Sequence, residues 1–173
     1  PRPRDLYGDR MNSEGVDLSI RSERQRLTKA IAAEDGRRPD AGPIVAGRPA
    51  TRGERREARS PADRGRVVGS LADATPDDIA AAFAAARAAQ PAWDEAGGPA
   101  RAEVLRAMAD GLEASRERLI AILVREGGKT LPDAIAEVRE AVDFCRYYAH
   151  LAETGFAAPE VLTGPAGERN SLQ

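Results

Sequence analysis

The chain holds one cysteine, one histidine and one tryptophan in 173 residues, and aromatics are only 4% of the total. A single cysteine excludes an internal disulfide and any cysteine-built metal cluster, so no metal site is expected and a reducing compartment fits best. No apolar run approaches the roughly 18 residues that a membrane span needs. The opening stretch PRPRDLYGDRMN lacks the apolar core of a signal peptide. The expectation is a cytoplasmic, soluble protein without a membrane span. Length alone would allow a sizeable core. Much of the apolar share is alanine, however, which contributes little burial per residue, so a fully self-sufficient core is not expected.

Charge is distributed unevenly. Residues 1–66 carry 16 Lys/Arg against 11 Asp/Glu, whereas the remainder carries 10 against 17. An arginine-rich first third could suggest a nucleic-acid arm, but acids are interspersed and no aromatic platform accompanies the arginines. Mixed charge of this kind usually marks a solvated surface, so a loosely ordered segment is expected and no nucleic-acid partner.

Residues 1–42 read as a connector, with one short helical possibility from Ser22 to Ala33 before Gly36, Pro39 and Gly42 interrupt the pattern. Three short extended pieces follow, at Pro43–Gly47, Arg55–Arg59 and Arg66–Leu71, and form a β ribbon too thin to stand without a partner sheet. Thr75 then caps a helix with Pro76 at its first position and Asp77 and Asp78 in its first turn, which is expected to stop near Gln90 before Pro91. A second helix is predicted from about Pro99 to Arg125, ended by Gly127 and Gly128. A third, capped by Thr130, runs to about Glu153. The fold class read for this segment is mainly α, with three long helices and a short N-terminal β ribbon. The GGKT stretch between the last two helices has Leu123 where a phosphate loop needs a glycine, so it joins helices and holds no nucleotide.

On the third helix Ile135, Val138, Val142, Cys145 and Ala149 share one face at 100° per residue. Phe144, Tyr147 and Leu151 lie nearly opposite, with Glu140 among them. A helix apolar on two sides is normally sandwiched, and this chain has too little left over to cover both. A carboxylate among aromatics needs a cation or donors. Spacing favours an ion pair with Arg139 or Arg146, or plain exposure, over recognition of a ligand ammonium, and leaves these open. Cys145 sits mid-helix as a small hydrophobe. His150 lies about 140° around the helix from it and cannot readily deprotonate the thiol, so no catalytic residue is assigned.

From SPADRGRVVGSLADATPDD through RAEVLRAMADGLEASRERL to EGGKTLPDAIAEVREAVDFCRYYA, the chain resembles the opening segment of an aldehyde dehydrogenase. The last stretch is similar to the L-glutamate γ-semialdehyde (pyrroline-5-carboxylate) dehydrogenases. LYGDRMNSEGVDLS, Leu6–Ser19, is similar to the segment before that module in bifunctional proline utilization A enzymes. The resemblance implies an α/β parent fold and NAD-dependent oxidation of L-glutamate γ-semialdehyde to L-glutamate in proline catabolism. In that family a loop cysteine attacks the aldehyde, hydride passes to the nicotinamide, and a glutamate-activated water releases the acyl group. Residues 1–42 would be the connector from an upstream proline dehydrogenase domain, the only place for FAD. Residues 43–173 would be the N-terminal part of the aldehyde dehydrogenase domain, ending before the nucleotide-binding strands. No dinucleotide glycine motif, loop cysteine or partner glutamate is present, so catalytic and cofactor-binding residues are none and the chain is expected to be an inactive fragment. Its partners would be the rest of the parent polypeptide, which binds NAD and the small-molecule substrate and is a homo-oligomer when intact. By the match to the acidic residue before the DF.R motif, Glu140 would be a substrate-binding residue, contacting the substrate's amino end. The alternative is a self-contained helical protein-interaction module.

Overall fold

A computed structural model describes residues 2–50, 52–156 and 158–172. Helices dominate, and the chain divides into two compact units.

The first unit, Val16–Pro91 with Ser115–Val138, holds the larger apolar core. Helix α1, Arg21–Ala33, packs on α4, Arg116–Arg125. Leu27 of α1 joins Ile120 of α4 and Ala134, Ile135 and Val138 of α5, Leu131–Thr154, in one buried cluster, lined by Val16, Ile31, Leu123 and Leu131. The expectation that the arginine-rich first third is loosely ordered is therefore corrected, because Leu27 is as buried as the core it completes. The interspersed charges find partners instead, as in Arg26 with Glu117 at 3.3 Å.

Short strands lie in the same unit. They are β1, Asp40–Ala41; β2, Ile44–Val45; β3, Arg48–Pro49; β4, Arg55–Arg59; and β5, Val67–Ala72. The sheet runs β1-β5-β4, with β4 antiparallel and β1 parallel to the central β5, while β2 and β3 form a separate hairpin. Strand β5 buries Val68 and Ala72. Two-residue β1 escaped the sequence reading because no apolar alternation can show in so short a strand.

Two helix boundaries differ from expectation. Helix α2, Pro76–Glu95, continues through Pro91. Proline removes one intrahelical donor and crowds the preceding turn, yet Ala96 N–H still donates to Ala92 O at 3.1 Å, so the helix resumes beyond the lesion. Thr75 caps α2 as expected, accepting from Asp78 N–H at 3.2 Å while Asp78 Oδ2 accepts from Thr75 N–H at 3.0 Å. The single long helix predicted over 99–125 is two, α3, Gly97–Ala114, and α4, separated at Ser115. Ser115 has φ −98° and ψ 8°, in the bridge region, and Leu119 N–H donates to its carbonyl at 3.0 Å, so it opens α4 as an N-cap. The apolar period runs through the break almost in phase, which is why spacing concealed it.

The second unit comprises Pro1–Gly15, Ala92–Ala114 and Arg139–Gln173. Here α3 meets α5 through small residues. Gly98 lies so close to the Ala152 carbonyl that a Cβ would not fit, and Ala102, Ala109, Val142 and Ala149 are fully buried. Arg106 and Glu153 close the far end with a paired contact that holds the Glu153 carboxyl below its usual range. A hairpin of β6, Glu160–Thr163, and β7, Arg169–Leu172, follows with every residue exposed.

Candidate functional site

The GGKT joint folds as its composition dictates. Gly128 adopts φ +64°, Lys129 N–H donates to Leu123 O at 3.2 Å, and Thr130 caps α5 by accepting from Asp133 N–H and donating to its carboxylate at 2.7 Å. Lys129 Nζ donates to Glu137 at 2.6 Å. These contacts commit Lys129 and the Thr130 hydroxyl within the protein, and a helix rather than a strand precedes the joint, so it is not built as a phosphate cradle.

Helix α5 carries the chemistry-bearing residues. Its inner stripe of Ile135, Val138, Val142 and Ala149 is buried, with Cys145 half-buried beside it. On the opposite side Phe144 and Tyr148 are 50% and 53% exposed and stack at a 6.0 Å centroid distance, with Tyr147 edge-on to Tyr148 at 5.3 Å. Glu140 lies on this face, exposed, and among the described residues it makes no hydrogen bond or ion pair. Of the two outcomes that spacing favoured, an ion pair or plain exposure, the structure shows the second. The two arginines offered as partners are engaged elsewhere, Arg139 with Ser13 and Arg146 with Glu113.

Those engagements reveal residues that sequence reasoning did not single out. The segment from Asp9 to Gly15 runs antiparallel along α5. Asp9 lies 3.4 Å from His150 Nε2, and Arg10 stacks over Tyr147 at 5.1 Å and Tyr7 at 4.2 Å. Arg146, only 8% exposed, donates to the Asn12 carbonyl at 2.9 Å and to Glu113 at 2.7 Å. Ser13 is 1% exposed; its N–H donates to Asp143 Oδ1 at 2.7 Å and its hydroxyl to Asp143 Oδ2 at 3.0 Å. Glu14 N–H donates to Glu113 at 2.9 Å. Asp143 and Arg146 are the D and R of the DF.R motif, so half of this network was visible as a pattern. Ser13 lies 130 residues away in sequence and carried no local signal.

Cys145 and His150 are not brought together into a nucleophile and base; His150 faces Asp9 instead. Among the described residues no group of His, Cys, Asp and Glu is placed to hold a metal ion, and no helix is long and apolar enough to cross a membrane. What the α5 face offers is an uncommitted carboxylate beside aromatic rings, which suits a positively charged, partly apolar small molecule.

Known proteins give this geometry a context. The aldehyde dehydrogenase family profile matches residues 48–173. Bifunctional protein PutA of Escherichia coli is 39% identical over 158 residues, covering 91% of this chain and 12% of that protein. The crystal structure of proline utilization A from Bdellovibrio bacteriovorus superposes with a TM-score of 0.83 at 26% identity, covering 99% of this chain and 17% of that one. The 1-pyrroline-5-carboxylate dehydrogenase from Thermus with bound NAD gives 0.80 at 28% identity, covering 90% and 31%. The chain thus spans less than a third of each of these relatives. With the profile covering β4, β5 and all of α2 to α5, this chain belongs to the aldehyde dehydrogenase family.

Proposed function

We propose that this chain works as one part of an NAD-dependent L-glutamate γ-semialdehyde dehydrogenase of proline catabolism, in which Glu140 receives the substrate's amino end. The observation that carries the reading is the free carboxylate of Glu140 on an exposed aromatic face of α5. A carboxylate there can accept from an ammonium, which brings three donors. The names of its relatives support the pathway, since they are proline utilization and pyrroline-5-carboxylate enzymes.

Reaction requires an aldehyde carbon attacked, a hydride taken up by NAD and an acyl group hydrolysed. The joint at residues 127–130 commits Lys129 and the Thr130 hydroxyl to partners within the chain and is not fitted to hold that dinucleotide. No chemical step is therefore assigned to this chain beyond holding the substrate. In this reading residues 1–42 connect to an upstream, FAD-binding proline dehydrogenase domain and residues 43–173 open the α/β aldehyde dehydrogenase domain. The remaining polypeptide covers Phe144 and Tyr148, supplies the reacting groups, and assembles as a cytoplasmic homo-oligomer. The isolated 173 residues are inactive.

Incubating this chain, and separately the longer polypeptide encoded around it, with NAD and glutamate γ-semialdehyde tests the reading. NADH is expected only from the longer form, with KM raised about tenfold in Glu140→Gln, the usual scale for one charged hydrogen bond. NADH produced by the isolated chain, or an unchanged KM in Glu140→Gln, refutes it. A second reading, a helical interaction module, draws on the same exposed rings. It requires residues 72–155 to unfold cooperatively alone, although that excision removes Leu27 from the core.

A further inference from the structure

Glu140 is not the only carboxylate on its turn of α5. Asp143 stands three residues on, where side chains of a helix are neighbours about 5–6 Å apart at Cβ. Two free carboxylates so close would compete for one ammonium. The protein prevents this with the Asp9–Gly15 segment, because both oxygens of Asp143 are taken by Ser13, one by its N–H and one by its hydroxyl. Ser13 is buried, and Arg139 Nε donates to its hydroxyl at 3.3 Å, so the serine is held from behind in its donating position. Arg146 grips the preceding carbonyl of Asn12 and Glu113 the following N–H of Glu14, fixing the segment on both sides of the serine.

We propose that Ser13 is a specificity-setting positioning residue: by occupying Asp143 it leaves Glu140 as the sole acceptor for the amino end of the substrate. This inference rests on the reading of Glu140 given above and extends it to a residue that touches no substrate. If Ser13 is lost, Asp143 swings free and draws the ammonium toward itself. A share of the bound substrate then sits with its aldehyde out of place. Such unproductive binding lowers kcat and KM together, and it does so only for a substrate that carries an amino group.

The test uses the full-length polypeptide and two aldehydes, 2-amino-5-oxopentanoate, which is glutamate γ-semialdehyde, and 5-oxopentanoate, the same molecule without the amino group. Ser13→Pro removes both donors at once, since proline has no N–H. Its kcat and KM for the amino aldehyde are expected to fall together by about two- to tenfold, the partition between two comparable acceptors. Both constants for 5-oxopentanoate stay unchanged. Ser13→Ala, which keeps the N–H bond, gives a smaller shift of the same sign and serves if the proline variant does not fold. Adding Asp143→Asn to either variant neutralises the competitor and restores the wild-type constants. A merely structural role predicts something different: both aldehydes would suffer alike and Asp143→Asn would not rescue. Equal effects on the two aldehydes, or no effect, overturn the inference. Glu140→Gln separates the levels. If it fails to raise KM selectively for the amino aldehyde, the reading of Glu140 falls and this inference with it; if it does so while the Ser13 variants show no split, only this inference falls.

Discussion

Ile120 is the largest side chain in the first unit's core that is fully shielded from solvent, and it sits where α1, α4 and α5 converge. Ile120→Ala removes three carbons, each worth about 0.8 kcal/mol of transfer free energy, or about 2.4 kcal/mol together. Its neighbours Leu27 on α1 and Ile135 and Val138 on α5 sit on two separate helices and cannot all move inward, so a cavity term adds to that figure. The expected loss is about 3–4 kcal/mol, within the range found for buried isoleucines. That is a large fraction of the stability of an ordinary domain. Urea unfolding of the chain followed by far-UV circular dichroism measures it, with a lower midpoint and an unchanged slope. Ile120→Val is the graded control, at about 1 kcal/mol. A loss under about 1 kcal/mol for the alanine variant means the three helices do not enclose this residue, and the role given to α1 in the core is then wrong.

At the joint before α5, Gly128→Ala must hold a left-handed conformation and place its Cβ 2.7 Å from Pro61 Cγ. It should cost about 1–2 kcal/mol or more, whereas Gly36→Ala, with nothing within 4 Å, should be close to neutral in the same thermal melts. Thr75→Ala deletes the cap of α2 and should lose about 1 kcal/mol, restored in large part by Thr75→Ser; equal stability of all three would show the cap is idle. Acid should destabilise the fold. The Arg66 hydrogen bond holds Asp35, the Thr75 hydrogen bonds hold Asp78, and the Arg106 hydrogen bond holds Glu153 below the usual carboxylate range. Folded values below unfolded ones mean this contribution is complete above about pH 4 and is lost as pH falls through the folded values. All three groups are solvated, so the loss should shrink in high salt; a melting temperature that rises on going from pH 5 to 3 contradicts the assignment.

The sequence alone determined the local structure wherever one residue's chemistry settles the matter. Thr75-Pro76-Asp77-Asp78 and Thr130 open helices because orphan backbone donors need those oxygens, and Gly127-Gly128 close one because only glycine enters the left-handed region cheaply. The two-faced pattern of α5 was likewise legible, since helical period assigns faces without knowledge of neighbours: of the residues it placed opposite the core, Phe144 and Tyr147 are exposed and Leu151 is half-buried. Tertiary structure decided what depends on partners distant in sequence. The helix expected over 99–125 breaks at Ser115, a change that apolar spacing cannot register. Arg139 and Arg146, next to Glu140 in sequence and its natural candidates for pairing, turn to Ser13 and Glu113, because burial of the serine and of the Arg146 guanidinium demands satisfied hydrogen bonds there. The helix by itself pointed to Glu140, but that the neighbouring Asp143 is engaged by Ser13, 130 residues away, only the tertiary structure shows.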